Sequence, residues 1–235
     1  MHGGRVGIDD VPIFLRQRTL EGTAQKIIYG EPFKAEALAD EVPLIETFEK
    51  MPFCSPAALR SAAIVRLRIT EEGALEGIQE KTNEWMKVAM GSVRESLSCS
   101  PADPFLWLAL YWLDGMQHKF RPENLKYLEL SYQLGPHEGW IAIKRNAAAF
   151  AIFQQLPSNL AEAAINEFVG LLKSDFYEPA AEIFVGPAWP ERELILRHLA
   201  TISEVNKRAF ADALYRRGYD VNVSGIERRD SRPWQ

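Results

Sequence analysis

Ser or Asp followed directly by Pro recurs in this chain, at Ser55-Pro56, Ser100-Pro101 and Asp103-Pro104, each time near a run whose apolar residues return every three or four positions. The pairing marks a helix start. The side-chain oxygen accepts from an orphan N–H of the first turn, and proline at the first helical position gives up no hydrogen bond. Ser158, after Pro157, reads the same way. Gly30 and Gly218 supply stops, because a residue free to take positive φ lets the last turn close. Between these marks the spacing is helical. Leu75, Ile78, Trp85, Val88, Ala89 and Leu97 share one stripe, and so do Val205, Phe210, Ala213 and Leu214, with Arg216 and Arg217 suited to the C-terminal dipole.

The pattern predicts helices over 12–29, 32–41, 44–51, 56–71, 74–97, 104–118, 122–134, 137–154, 158–173, 176–184, 190–201 and 204–217. Ile64 to Thr70 alternates locally but continues the helical pattern from Pro56, and Asp220 to Val223 is a candidate for a short extended piece. The loops are short, so consecutive helices should lie antiparallel as neighbours. The tetrapeptide Cys-Ser-Pro-Ala occurs at Cys54 and again at Cys99, 45 residues on. Later pair starts follow near Pro136 and Ser174, at spacings of roughly 35 to 40, within the range of helical arrays. The expected fold is all-α, with antiparallel helix pairs stacked as a short right-handed superhelix, and a closed bundle is the alternative. The expected organisation is an N-terminal helical segment over 1–53, the array over 54–217, and a partly disordered tail over 218–235 in which Trp234 is a candidate anchor.

Within this pattern the stretch from Pro104 to Ser174 resembles two divergent tetratricopeptide units. Leu128 takes the large apolar position of a second helix, Ser131 the small one, and Leu134 with Pro136 the closing Leu-x-Pro. The next unit opens with Trp140 and carries Ala164 and Phe168 at the small and large positions. Asn124 and Leu171 stand where small residues are usual, and Trp112 and Lys144 fall near the family's first-helix glycine. The resemblance covers about a third of the chain and implies helical hairpins with a concave partner-binding face. The chain also resembles helical accessory proteins linked to bacterial exopolysaccharide production.

Composition narrows the function. Charged residues make up 25% and the formal net charge is −5. Such a chain lacks the clustered Lys and Arg that displace counterions from nucleic acid. Its longest apolar run, Phe105 to Leu113, has nine residues, whereas a membrane-spanning helix needs roughly 20. No signal peptide opens the sequence, so the expected compartment is cytoplasmic, or periplasmic if an upstream signal or anchor was lost.

Phe105, Trp107, Tyr111 and Trp112 lie in a helix apolar all round, which is normally a buried one. The conspicuous polar interruption is Lys144-Arg145-Asn146, between Ile141-Ala142-Ile143 and Ala147 to Ala151. With Tyr132 and Trp140, these three residues are the candidate binding site, presenting charge to a carboxylate-bearing peptide or acidic group. The competing reading is a solvated stripe, or a pair with Glu129 or Glu138. His2, His118, His137 and His198 have no metal-ligand spacing, and no nucleophile elbow, Walker loop or dinucleotide fingerprint occurs. Neither catalytic residues nor a cofactor are therefore expected. Cys54 and Cys99 are either small apolar residues beside capping serines or a disulfide formed as neighbouring repeats stack. The expected function is a non-enzymatic interaction or scaffold module holding a protein or peptide partner in a groove. The alternative is a saccharide-binding accessory of bacterial cell-envelope polysaccharide assembly.

Overall fold

The structure, a computed structural model, describes residues 13–75, 79–136 and 138–226. Among them the chain forms twelve α-helices and no strand, one helix in each predicted interval. It divides into two compact units at Tyr127/Leu128, a point inside the seventh helix. The expected boundary after residue 53 is not where the units divide, because the helices before it share a core with the helix after it.

In the N-terminal unit α1 (Ile13–Ile28), α2 (Ala35–Ala39) and α3 (Val42–Glu49) pack on α4 (Pro56–Leu75), which pairs with α5 (Gln79–Cys99); α6 (Pro104–His118) packs on α5. Helix α4 is the shared wall. Its Ala58, Ala62, Val65 and Ile69 join Leu20, Leu38, Ile45 and Phe48. Ala63 and Leu67 face a second core with Met86, Val93, Leu106 and Leu113. A helix apolar on two faces explains the local alternation at Ile64 to Thr70: those residues serve two cores rather than a sheet. The helix α6 run is buried at Leu106, Leu108 and Leu110, while Phe105, Trp107, Tyr111 and Trp112 are half-buried at its edge. Trp107 donates its indole N–H to the Pro101 carbonyl at 2.8 Å and stacks on Tyr127.

The Asp-Pro start behaves as its chemistry requires. Asp103 Oδ1 accepts from the Phe105 and Leu106 amides at 2.9 and 3.2 Å, and Pro104 is the first helical residue. Arg60 Nε adds a bond to Asp103 Oδ2 at 2.6 Å. Two other expected starts differ. Ser100-Pro101 forms a turn after α5, since Asp103 already caps the helix that follows. Ser158 is the first residue inside its helix, makes no side-chain cap, and leaves the cap position to Pro157.

This shift changes the geometry of the two cysteines. Cys54 lies just before α4 and Cys99 ends α5, so the antiparallel hairpin brings together its own two open ends rather than two stacked repeats. The structure joins them in a disulfide with Cα atoms 5.8 Å apart. At the closed end, a Cβ on Gly73 would collide with the Trp85 ring, so only glycine lets the helices approach there.

The C-terminal unit comprises the end of α7 (Leu125–Leu134), then α8 (Gly139–Phe150), α9 (Ser158–Lys173), α10 (Tyr177–Val185), α11 (Arg192–His198) and α12 (Glu204–Arg216). Its core is aromatic. Phe168 and Phe184 meet the Phe210 ring edge-to-face with centroids 5.8 and 5.4 Å apart. All three side chains are fully buried, and each contributes about 1.5–3 kcal/mol by leaving water. Gly218 (φ +83°) ends α12 and lets the Tyr219 amide reach the Leu214 carbonyl at 3.0 Å. The chain then docks: Tyr219 packs on Trp189, and Val223 is buried. Asp220 to Val223 is irregular rather than extended ladder. The tail from Glu227, including Trp234, lies outside the described residues, as do Ile78, His2 and His137.

The hairpin disulfide closes a separation of 45 residues, for which the chain-entropy relation gives about 4 kcal/mol. Reducing it should lower the urea-unfolding stability by that amount. Native protein should be lighter by two hydrogens than the reduced chain on intact mass measurement; two free thiols in native protein would refute the bridge.

Candidate functional site

Helix α8 buries Ile141, Ala142, Ala149 and Phe150, and the same face carries Arg145. Four-residue steps from Ile141 through Arg145 to Ala149 make this geometrically unavoidable. Lys144, one residue and about 100° earlier, is exposed. The two cations expected to act as one charged patch therefore lie on different sides of the helix. Asn146 is also fully buried, its amide donating to the Ala164 carbonyl at 2.8 Å.

Arg145 is completely buried, and its five N–H groups are all used. Nε and Nη2 both donate to Glu167 Oε1, at 3.0 and 2.5 Å. Nη2 also donates to the Gly135 carbonyl at 2.8 Å. Nη1 donates to the Ser131 carbonyl and to Ser131 Oγ, the latter at 3.1 Å. Ser131 lies in the last turn of α7 and Gly135 directly follows the helix, at the end that carries partial negative charge. The guanidinium carbon lies 4.4 Å from the centre of the Tyr132 ring, a desolvated cation–π contact of about 2 kcal/mol. Neither Glu129 nor Glu138 is the partner; Glu167 is.

Glu167, whose side chain is 5% exposed, keeps one oxygen unspent. Burial raises its proton affinity above the ordinary carboxylate range, and the bonds and charge of Arg145 pull the other way without cancelling it. The Tyr132 phenol is pushed well up by burial first and by the Glu167 charge second. The two groups lie close enough to perturb each other. Tyr132 Oη and Glu167 Oε2 are both buried and unpartnered, as is Asn146 Oδ1.

Tyr132 and Glu167 line a pocket of about 400 Å³ within the C-terminal unit, a size in the range of ligand sites. Its walls include Gly139, Ala142, Ala163, Gly170 and Phe176; Asn166 and Ser174, both exposed, also line it. Phe176 is set by the chain reversal after α9. Asp175 takes φ +65°, a region that Asp tolerates better than most residues. The Phe176 amide thereby reaches the Leu171 carbonyl at 3.0 Å. Its ring then lies against Gly139, where a Cβ would come within 2.7 Å of it. Trp140 is half-buried and is not part of the lining, and neither is Lys144.

Of the five residues expected to bind, the structure thus brings Tyr132, Arg145 and Asn146 together around Glu167 and places Tyr132 alone on the pocket wall. Sequence reasoning missed Glu167, Gly139, Gly170 and Phe176. Glu167 had a signal: it stands three residues after Ala164 and four before Leu171, on the buried stripe of α9. His198 Nδ1 lies 2.8 Å from the Leu194 carbonyl, and His118 ends α6. Among the described residues no three His, Cys, Asp or Glu side chains cluster as metal ligands.

Two outcomes follow. Arg145→Ala should cost about 3–5 kcal/mol, since it strands a buried carboxylate, while Lys144→Ala should stay within about 0.5 kcal/mol; urea unfolding of the two variants separates them. The pH dependence has a definite sign. In the unfolded chain Glu167 titrates near roughly 4.3, below its folded value, so across that interval the folded state binds more protons and loses stability as pH rises. The wild-type stability minus that of Glu167→Gln should fall as pH rises from that point and level off above the folded value. A difference that climbs with pH would show that the Arg145 pairing outweighs burial.

The chain matches no protein-family model, no curated protein and no solved structure.

Proposed function

We propose that this chain is a non-enzymatic interaction module, TPR-like in its use of helix hairpins, that holds a segment of a protein partner in the pocket of its C-terminal unit. The observation that carries the reading is a cavity of about 400 Å³ lined by two residues that each keep a buried polar atom unspent. Both atoms lie beneath the cavity surface, so what the cavity offers a ligand directly is its small and apolar wall. The walls suit close approach of a chain: Gly139, Gly170, Ala142 and Ala163 are small, and Phe176 gives an apolar face. The site sits on rigid elements, with α7, α8 and α9 locked by Arg145.

The Cys54–Cys99 bridge bears on where such a module would work, because disulfides persist in oxidising compartments such as the bacterial periplasm and are rare in the cytosol. A second reading is a saccharide-binding accessory of bacterial cell-envelope polysaccharide assembly. It draws on the same bridge and on the half-buried aromatics of α6.

Gly170 offers a clean test. A Cβ there meets nothing within 4 Å, and the residue lines the pocket from within a helix. Gly170→Phe should fill the pocket with the fold intact, since replacing a helical glycine usually helps the helix. Affinity capture from native extract should enrich the same protein on wild type and on Lys144→Ala, and lose it on Gly170→Phe. Equal enrichment on all three would remove the pocket from the function, and competition by soluble glycan would favour the second reading.

A further inference from the structure

We infer that the Asn222 carboxamide is an acceptor for an N-linked glycan, delivered from a lipid-linked oligosaccharide diphosphate.

The pattern is Asn222-Val223-Ser224, an asparagine with a hydroxyl residue two positions on and no proline between. Of the seven asparagines in the chain, Asn222 alone has Ser or Thr at that distance. The spacing has a chemical reason. A carboxamide nitrogen is a weak nucleophile, because its lone pair is shared with the carbonyl as in a peptide bond. A transferase must therefore hold the segment by more than the asparagine, and the hydroxyl supplies a donor and an acceptor close by. Proline in the middle would lock φ and deny the chain the freedom to bring both side chains to one enzyme.

Three-residue patterns arise by chance, so placement decides whether a transferase can use one. Burial alternates from Asp220 to Ser224. Asp220, Asn222 and Ser224 are exposed, Val221 is half-buried, and Val223 is 2% exposed. Val221, Val223 and Ile226 pack on the core of the C-terminal unit and hold the segment from below. The acceptor and its hydroxyl are thereby left in solvent together. Among the described residues neither side chain has a hydrogen-bond partner to give up. The backbone follows α12 irregularly and closes on a turn, in which the Ile226 amide donates to the Val223 carbonyl at 3.0 Å and Gly225 takes φ +84°. A bulky glycan on such a turn displaces nothing from the core.

The Cys54–Cys99 bridge selects the donor. Disulfides persist in oxidising compartments, and asparagine acceptors of this pattern belong to exported surface loops. A nucleotide-linked donor acting before export would meet the chain with free thiols. In the transfer the bond from Asn222 Nδ2 to the sugar C1 forms as the bond from C1 to the diphosphate oxygen breaks. The electron pair leaves with the lipid diphosphate, and Nδ2 gives up one proton to a base of the transferase.

The test uses the full chain purified without reductant from its native source, and from the same cells expressing variants. Intact mass measurement should show species heavier than the chain by whole sugar residues and lighter by the two hydrogens of the bridge. Fragmentation should place the increment in the tryptic peptide 218–228, whose one asparagine is Asn222. Asn222→Gln and Ser224→Ala should each abolish it, and Ser224→Thr, which keeps the hydroxyl, should retain it. Both positions are exposed, so the variants should fold as the wild type does, with the bridge in the intact mass as the check. An unmodified mass throughout, sugar on another residue, or an increment undiminished in Ser224→Ala would each overturn the acceptor. Sugar confined to molecules with two free thiols would overturn the lipid-linked donor.

Discussion

A guanidinium taken wholly out of water is the constraint around which the C-terminal unit is arranged. Arg145 has no solvent to fall back on, so each of its N–H groups needs a protein acceptor, and the acceptors come from two separate pieces of chain. Ser131 and Gly135 fix the end of α7, Glu167 fixes α9, and Arg145 itself rides on α8. Lysine could not replace it, because a point charge with three donors cannot span that fork. The arrangement has a cost: the ion pair is buried, and breaking one side strands the other. What it provides is register, since only one placement of the three helices satisfies all the bonds at once.

The same interaction sets the chemistry of the neighbouring cavity. Because Glu167 uses one oxygen to hold Arg145, the second is held in place by a rigid neighbour rather than by a mobile loop. Tyr132, trapped under the guanidinium by its ring, has its hydroxyl positioned in the same way. Gly139 and Phe176 complete the wall through a steric argument, the ring occupying the space a Cβ would need. The cavity is thus built by packing residues that also hold the hairpins together.

Helix positions were legible in the sequence because their determinants are local. Pro104 after Asp103, Gly30, Gly218 and the three- and four-residue apolar steps act within one or two turns, and all twelve intervals hold a helix. The failures at Ser100 and Ser158 are instructive. A capping residue competes with its neighbours, and Asp103 or a preceding proline can take the position first. The candidate site was half legible. Lys144 and Arg145 look alike in one dimension, and only the helical rotation relative to Ile141 and Ala149 distinguishes the surface side chain from the buried one. Glu167 lies 22 residues from Arg145, too far for local pattern to announce a partner. The cysteines were legible as a pair but not as the two ends of one hairpin, because the second Cys-Ser-Pro-Ala ends a helix rather than opening one.

The bridge at the open end of α4 and α5 gives that hairpin a different covalent topology from the rest of the chain. Residues 54 to 99 form a closed ring, with the N- and C-terminal portions of the protein both attached at the same linkage. A backbone scission anywhere inside the ring opens it without releasing a fragment. The two halves of the molecule stay tethered, and they part only when the sulfurs are reduced as well.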